Sequence, residues 1–305
     1  MQFLLCSGAD FLTQEVTDRG FKIIKAKTKR FANGEMAVFI ENYIDISETV
    51  CVIQSVALGN VNDYIFELLL TLDALKRIGV ANIDIVLPYM PYARQDRPMD
   101  YGYSVGAKVV VNLLNQYNPR SVSTLDIHND RIIAFMDNEM VNILSDTIFE
   151  KDIIQSFPNI KDGSTVFVAL DVGGAVRART FADLFATEYA VVDKRRFNDG
   201  RVESTRIVGD ITNKTCIIVD DMVDSGGTLF KGAELLIKNG AKNVFCYITH
   251  PVISNPIKFA EELSESKISG LTLSNTMNNI LNHAKIKYIQ CIDSIIDSVI
   301  NRVRK

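Results

Sequence analysis

Residues 50–55 (VCVIQS) form a short run of branched apolar residues, residues 63–77 carry Ile65, Leu68, Leu69, Leu72 and Leu75 at helical spacing, and residues 83–87 (IDIVL) return to a short apolar run. A hydrophobic period that switches from strand to helix and back fits a β-strand, a crossover helix and a second strand parallel to the first. The same grammar returns at residues 215–219, 229–239 and 243–248, with Gly240 closing the helix as a C′ residue. Chains of this kind cover parallel sheets with helices, and 305 residues suit two such domains. The expected class is therefore α/β, with two mostly parallel sheets flanked by helices. The boundary is expected near residues 144–155, dividing the chain into domains 1–147 and 148–305. Residues 288–303 read as a strand entering an amphipathic helix, expected to pack back on the N-terminal domain. No fixed-period repeat links the two halves.

Composition excludes several functions. Hydrophobic residues make up 47% and charged residues 23%, which is ordinary for a folded globular chain and excludes a largely disordered one. A net charge of −4 gives no basis for broad nucleic-acid affinity, so an anionic substrate must meet local basic groups. The five cysteines, Cys6, Cys51, Cys216, Cys246 and Cys291, have neither CxxC pairing nor zinc-like spacing. They are expected to be buried, reduced thiols of a cytoplasmic protein. No run reaches the roughly 18 apolar residues of a membrane-spanning helix. The opening MQFLLCSGAD lacks the basic start and long apolar region of a leader and reads as a strand.

The chemistry concentrates in residues 215–228, TCIIVDDMVDSGGT. Asp220 and Asp221 stand where an apolar strand is expected to end, and Asp224, Ser225, Gly226, Gly227 and Thr228 lead into a helix. Ligands of open α/β sheets bind outside the carboxyl ends of the strands. The two glycines let the backbone turn tightly and converge several N–H groups, while Ser225 and Thr228 add hydroxyls. That combination cradles a phosphate at a helix N-terminus. Carboxylates repel phosphate, so Asp220 and Asp221 suit vicinal sugar hydroxyls or a magnesium ion held among oxygens. A ribose bearing a terminal phosphate satisfies both ends of the segment. A plainer arrangement uses the same residues, a strand end followed by Asp and Ser capping the next helix.

The segment closely resembles the phosphoribosyl pyrophosphate motif of phosphoribosyltransferases and, in its DDMVD form, of class I ribose-phosphate pyrophosphokinases. Similarity to the kinase family also runs through RFANGEMAV (30–38), NDYIFELLLTLDALKR (62–77), LPYMPYARQDR (87–97), LDIH (125–128), DVGGAVRAR (171–179), DKRR (193–196) and THPVIS (249–254). The resemblance implies two phosphoribosyltransferase-like domains, the first holding ATP and the second ribose 5-phosphate. It implies that Phe31 packs on adenine, that Asn33 and Glu35 read its edge from a neighbouring subunit, and that Arg94 and Gln95 hold the nucleotide. His128 is implied as a magnesium ligand or phosphate contact, and Asp171 as a second metal-linked acid near the ribose. Lys194 and Arg196 would lie on a catalytic flap that closes over the transferred group. Mg2+ is the implied cofactor, and a homo-oligomer, hexameric or dimer-based, the implied assembly. On residue chemistry alone plainer alternatives stand: a hairpin turn at Asn33-Gly34, a structural His128, an Asx-type turn at Asp171 and a solvated charged loop at 193–201.

The activity so implied moves the β,γ-pyrophosphoryl group of Mg-ATP to the C1 hydroxyl of ribose 5-phosphate. The alternatives are a phosphoribosyltransferase and a catalytically silent regulatory subunit of such a kinase. FANGE, ARQD and DKRR speak against the first, and the presence of His128, Asp171, Lys194 and Arg196 against the second. The chain departs from the family after Arg97, where PMDYGYSVGAK replaces a basic stretch, and at residues 45–49, where DISET lacks an expected arginine. Asn142 and Asn275 stand where the family commonly has acids. These departures imply weak or altered inhibition by ADP and little activation by phosphate.

Overall fold

The apolar runs become the centres of two sheets. The computed structural model describes residues 1–41, 43–196 and 202–303, with backbone alone for 194–196, 202–205 and 302–303. The first sheet comprises β1 (Gln2–Leu5), β2 (Ile23–Arg30), β3 (Met36–Ile40), β4 (Val50–Ile53), β5 (Ile83–Leu87), β6 (Ser121–Leu125) and β7 (Glu139–Ile143), ordered β3-β2-β1-β4-β5-β6-β7. The second comprises β8 (Thr165–Ala169), β9 (Glu188–Arg196), β10 (Val202–Val208), β11 (Thr215–Val223), β12 (Asn243–Pro251), β13 (Gly270–Ser274) and β14 (Ile286–Ile289), ordered β10-β9-β8-β11-β12-β13-β14. Every neighbouring pair is parallel except β2–β3 and β9–β10, the antiparallel hairpin at one edge of each sheet. The two orders match strand for strand, so the architecture repeats although the sequence does not. The α/β expectation of two mostly parallel, helix-flanked sheets holds.

The helices are α1 (Thr13–Asp18), α2 (Val61–Ile78), α3 (Gly106–Asn115), α4 (Asp146–Ser156), α5 (Ala175–Phe185), α6 (Gly227–Lys238), α7 (Pro256–Glu265) and α8 (Ile292–Val303). On α2 the stripe Leu68, Leu72 and Leu75 is buried in one core with Val52 of β4 and Ile83 and Ile85 of β5. Truncating such a leucine to alanine costs about 2–5 kcal/mol. Gly79, at φ 98, ends α2 in the left-handed conformation that glycine adopts without steric cost. In the second core Leu229, Ala233 and Leu236 of α6 gather with Val166, Ile218 and Val244. Gly232 permits close approach there, because a Cβ at that position would sit 2.5 Å from Leu170.

Two compact units result, Met1–Leu144 with Thr276–Asn278 and Gln290–Lys305, and Ser145–Asn275 with Asn279–Ile289. The terminal helix α8 belongs to the first. Its Ile292, Ile295, Ile296 and Val299 are buried, and Arg19 beyond α1 donates to Asp293 at 2.9 Å and also to Asp297. All five cysteines are buried, and none forms a disulfide. Among the described residues no helix is long and apolar enough to cross a membrane.

Two strands run further than their apolar residues indicate. The expected end of β11 at residue 219 is corrected to Val223, because its pairing with β12 continues through Asp220↔Ile248 to Val223↔Pro251, after pairing with β8 stops at Ile218. Residues 193–196, part of the stretch that the plainer alternative reads as a solvated charged loop, belong to β9, which reaches Arg196. Beyond Val191 it pairs with β10 alone, in the register Val192↔Ile207 and Thr205↔Lys194.

Candidate active site

In the second sheet the chain leaves β8 towards β9 on one side, and β11 enters on the other. The strand order therefore reverses between β8 and β11, which is where open α/β sheets form their ligand crevice. The end of β11 and the residues that follow the two strands build the candidate site.

After β11 the chain turns through Asp224, Ser225 and Gly226 into α6, which begins at Gly227 rather than at the expected residue 229. Gly226 adopts φ 78, and a Cβ there would lie 2.4 Å from the Phe230 ring and 2.8 Å from that of Phe259. Only glycine meets both demands. The turn opens α6 beside the exposed Ser225 and Thr228, and the first amides of a helix have no acceptor within it, as an anion cradle requires. Asp224 braces it from behind, its Oδ1 accepting from the Ser254 amide at 3.2 Å. Gly226→Ala should therefore deform the cradle, adding about 1–2 kcal/mol of left-handed strain to the ring clash. The expected outcome in steady-state kinetics is a KM for the phosphorylated sugar raised about tenfold or more, with the KM for nucleotide little changed.

Asp220 and Asp221 lie within β11, on the extension that only β12 supports. Asp221 is 6% exposed, whereas the Asp220 side chain is 33% exposed. Burial raises the Asp220 carboxyl well above the ordinary carboxylate range, the charge of Asp221 adds to the rise, and Arg177 opposes both. The Asp221 amide also donates to Asp220 Oδ1 at 3.0 Å. Arg177, on the first turn of α5, places Nη1 3.5 Å from Asp220 Oδ1. It was not among the expected site residues. The signal lay in DVGGAVRAR, where two arginines follow a glycine turn, but residue type alone does not say which of them turns to the sheet.

Asp171 follows β8 and is exposed, its Oδ1 accepting from the Gly174 amide at 3.0 Å. The Asx-type turn considered from the sequence is thus present, and it holds the carboxylate fixed beside α5. Lys194 and Arg196 stand on β9, on the stretch paired only with β10. Their side chains and residues 197–201 lie outside the described residues, and with them the body of the expected flap.

In the first unit the residues 31–35 (FANGE) form the turn of the β2–β3 hairpin, with Arg30 paired to Met36. Phe31 N–H donates to Glu35 O at 2.8 Å, Asn33 Oδ1 accepts from Glu35 N at 3.2 Å, and Gly34 takes φ 92. The hairpin alternative is therefore the local structure, and it leaves the Phe31 ring 45% exposed, with Lys29 Nζ 5.2 Å from its centroid. Arg94 and Gln95 follow β5 and are exposed, and the Gln95 side chain lies against Gly106 at the start of α3, where a Cβ would meet its Oε1 at 2.6 Å. His128, also exposed, follows β6. Adjacent parallel strands thus bring Arg94, Gln95 and His128 to one edge of the sheet. FANGE is not brought to them, because β1 and β4 intervene between β2 and β5. Three strand spacings amount to about 14 Å.

A glycine-turned helix start and a carboxylate pair at the switch point of a parallel sheet define a phosphoribosyltransferase-type domain, and the comparisons agree. A family model for the N-terminal domain of ribose phosphate pyrophosphokinase matches residues 1–117, and one for the phosphoribosyl transferase domain matches residues 142–293. The ribose-phosphate pyrophosphokinase of Bradyrhizobium diazoefficiens is 40% identical over 255 residues, spanning 84% of this chain and 78% of the relative. That of Staphylococcus haemolyticus is 39% identical over 275 residues, spanning 88% and 83%. The crystal structure of phosphoribosylpyrophosphate synthetase from Mycobacterium smegmatis superposes with a TM-score of 0.87 at 27% identity, covering 99% of both chains. The chain belongs to the ribose-phosphate pyrophosphokinase family of enzymes.

Proposed function

We propose that this enzyme transfers the β,γ-pyrophosphoryl group of Mg-ATP to the C1 hydroxyl of ribose 5-phosphate, giving phosphoribosyl pyrophosphate and AMP. The observation that carries this reading is the paired site after β11, a phosphate cradle at Gly226–Gly227 beside the half-buried Asp220, in a chain whose first unit presents Arg94, Gln95 and His128 together. The amides and hydroxyls of residues 225–228 hold the 5-phosphate, and Asp220 and Asp221 accept hydrogen bonds from the ribose hydroxyls. Arg177 balances the charge of the pair. The C1 oxygen attacks the β-phosphorus in line as the bond to the AMP oxygen breaks, and Lys194 with Arg196 neutralise the growing charge. No side chain is assigned as general base, so positioning and electrostatics supply the acceleration.

Among the described residues no group of three or more His, Cys, Asp and Glu is arranged to hold a metal ion. Magnesium fits such a site, since it keeps several waters and takes one or two carboxylates together with substrate phosphates. In the second unit the exposed carboxylate of Asp171, fixed through Gly174, suits that manner of binding; in the first unit His128 would contact magnesium or a phosphate of ATP. When bound, magnesium neutralises charge on the ATP phosphates.

The separation of FANGE from Arg94 and Gln95 within one sheet supports a nucleotide site completed by a neighbouring copy, with Phe31 stacking on adenine and Asn33 and Glu35 reading its edge. That arrangement makes the enzyme a homo-oligomer, hexameric or dimer-based. Five buried thiols with no disulfide among them support a reduced, cytoplasmic setting. Purified protein given Mg-ATP and ribose 5-phosphate should release AMP in step with the activated sugar. Absence of AMP would instead favour the silent regulatory subunit.

A further inference from the structure

The loop that carries His128 is tied on both sides. Asp126 follows β6 at φ 38, in the left-handed region, and its amide donates to Ile143 O at 2.8 Å. Asn142, on the neighbouring β7, spans the loop: its Oδ1 accepts from the Ile127 amide at 2.9 Å and its Nδ2 donates to Asp130 Oδ1 at 3.1 Å. Asn129 Oδ1 accepts from the amide and Nε of Arg131 at 3.1 and 2.9 Å. The same Arg131 Nε lies 3.2 Å from Asp96 Oδ2. Asp96 is 8% exposed and directly follows Arg94 and Gln95. Each residue flanking His128 is thus held by a side chain, and one of those side chains reaches the nucleotide-side segment after β5.

We propose that Asn142 and Arg131 are positioning residues for the nucleotide half of the reaction, holding His128 in fixed register with Arg94 and Gln95. The inference rests on the reading of His128, Arg94 and Gln95 as nucleotide-side residues. An amide at position 142 is what the geometry demands, because it must accept from Ile127 and donate to Asp130 at once. A carboxylate keeps the first bond, loses the second and faces Asp130 with like charge.

Asn142→Asp should lower kcat/KM for ATP by about ten- to a hundredfold, the scale on which small misplacements act, while the KM for ribose 5-phosphate stays within about twofold. The exchanged pair Asn142→Asp with Asp130→Asn restores a donor opposite an acceptor and should recover most of the loss. Arg131→Gln should show the same preference for ATP over sugar kinetics. A general defect of folding would raise both KM values and would not be rescued by the exchange, and either result would overturn the proposal. His128→Ala, measured alongside, separates the two levels. If it impairs ATP kinetics while Asn142→Asp does not, the positioning idea fails and the His128 reading stands. If His128→Ala leaves ATP kinetics untouched, that reading fails and takes the proposal with it.

Discussion

Asp220→Asn is expected to remove most turnover and, at neutral pH, to make the protein harder to melt. Both effects come from one carboxyl group. Burial, followed by the charge of Asp221, raises the Asp220 carboxyl, against the pull of Arg177. The folded chain therefore keeps a proton there that the unfolded chain gives up at about pH 4. Between that point and the raised folded value the native state binds more protons than the unfolded one, so stability falls as pH rises through the window. Asparagine has nothing to ionise, and the variant escapes the decline. Its advantage should be absent below about pH 4 and grow towards neutrality, at about 2–4 °C per kcal/mol for domains of this size. The loss of function comes from the acceptor oxygens. Asparagine keeps one and puts an amide donor in place of the other, so a ribose hydroxyl left without its acceptor costs about 1–3 kcal/mol, or about 5- to 150-fold in kcat/KM. Melting curves across pH and steady-state rates test both halves. A variant that melts lower than the parent at neutral pH, or turns over normally, would remove Asp220 from the sugar site.

Legibility in the sequence followed how local each interaction is. β5 is an unbroken apolar run and occupies the expected residues 83–87, and α2 exceeds its expected span by only a few residues because its leucine stripe decides both face and length. The strand expected at 215–219 was cut short because acids follow it, whereas β12, distant in sequence, supplies the partner that carries β11 to Val223. Arg177 was hidden for a similar reason. Its meaning depends on how α5 seats against the sheet, which no spacing within DVGGAVRAR specifies. The like order of the two sheets was equally invisible, since strand order is a tertiary property and the halves share no repeat. At the site, the turn chemistry of Gly226 and of Asn33-Gly34 was readable because positive φ has a residue signature. Asn142 was noticed only as a missing acid. Its bonds to Ile127 and Asp130 give that departure a structural role.

Lys194→Ala is the second large effect, and its pattern should differ from that of Asp220→Asn. Lys194 and Arg196 stand on the part of β9 that pairs with β10 alone, beyond the last rung shared with β8. A ribbon held on one side is a less constrained carrier than a central strand, which suits groups that must engage the reacting phosphates only as charge develops. Such groups act on the transition state more than on the bound substrates. The expected outcome is a kcat lowered about 10²- to 10³-fold, or about 2.7–4 kcal/mol, as for loss of one preorganised electrostatic donor. Both KM values should stay within about threefold of the parent. Lys194→Arg keeps the charge and should recover part of the rate. Since Lys194 and Arg196 are assigned to the same growing charge, the double alanine variant should lose less than the product of the single losses. Single-turnover measurements with saturating Mg-ATP and ribose 5-phosphate read the chemical step directly. An unchanged rate there for Lys194→Ala would end the flap assignment and leave Arg177 and the nucleotide-side Arg94 as the cations to test next.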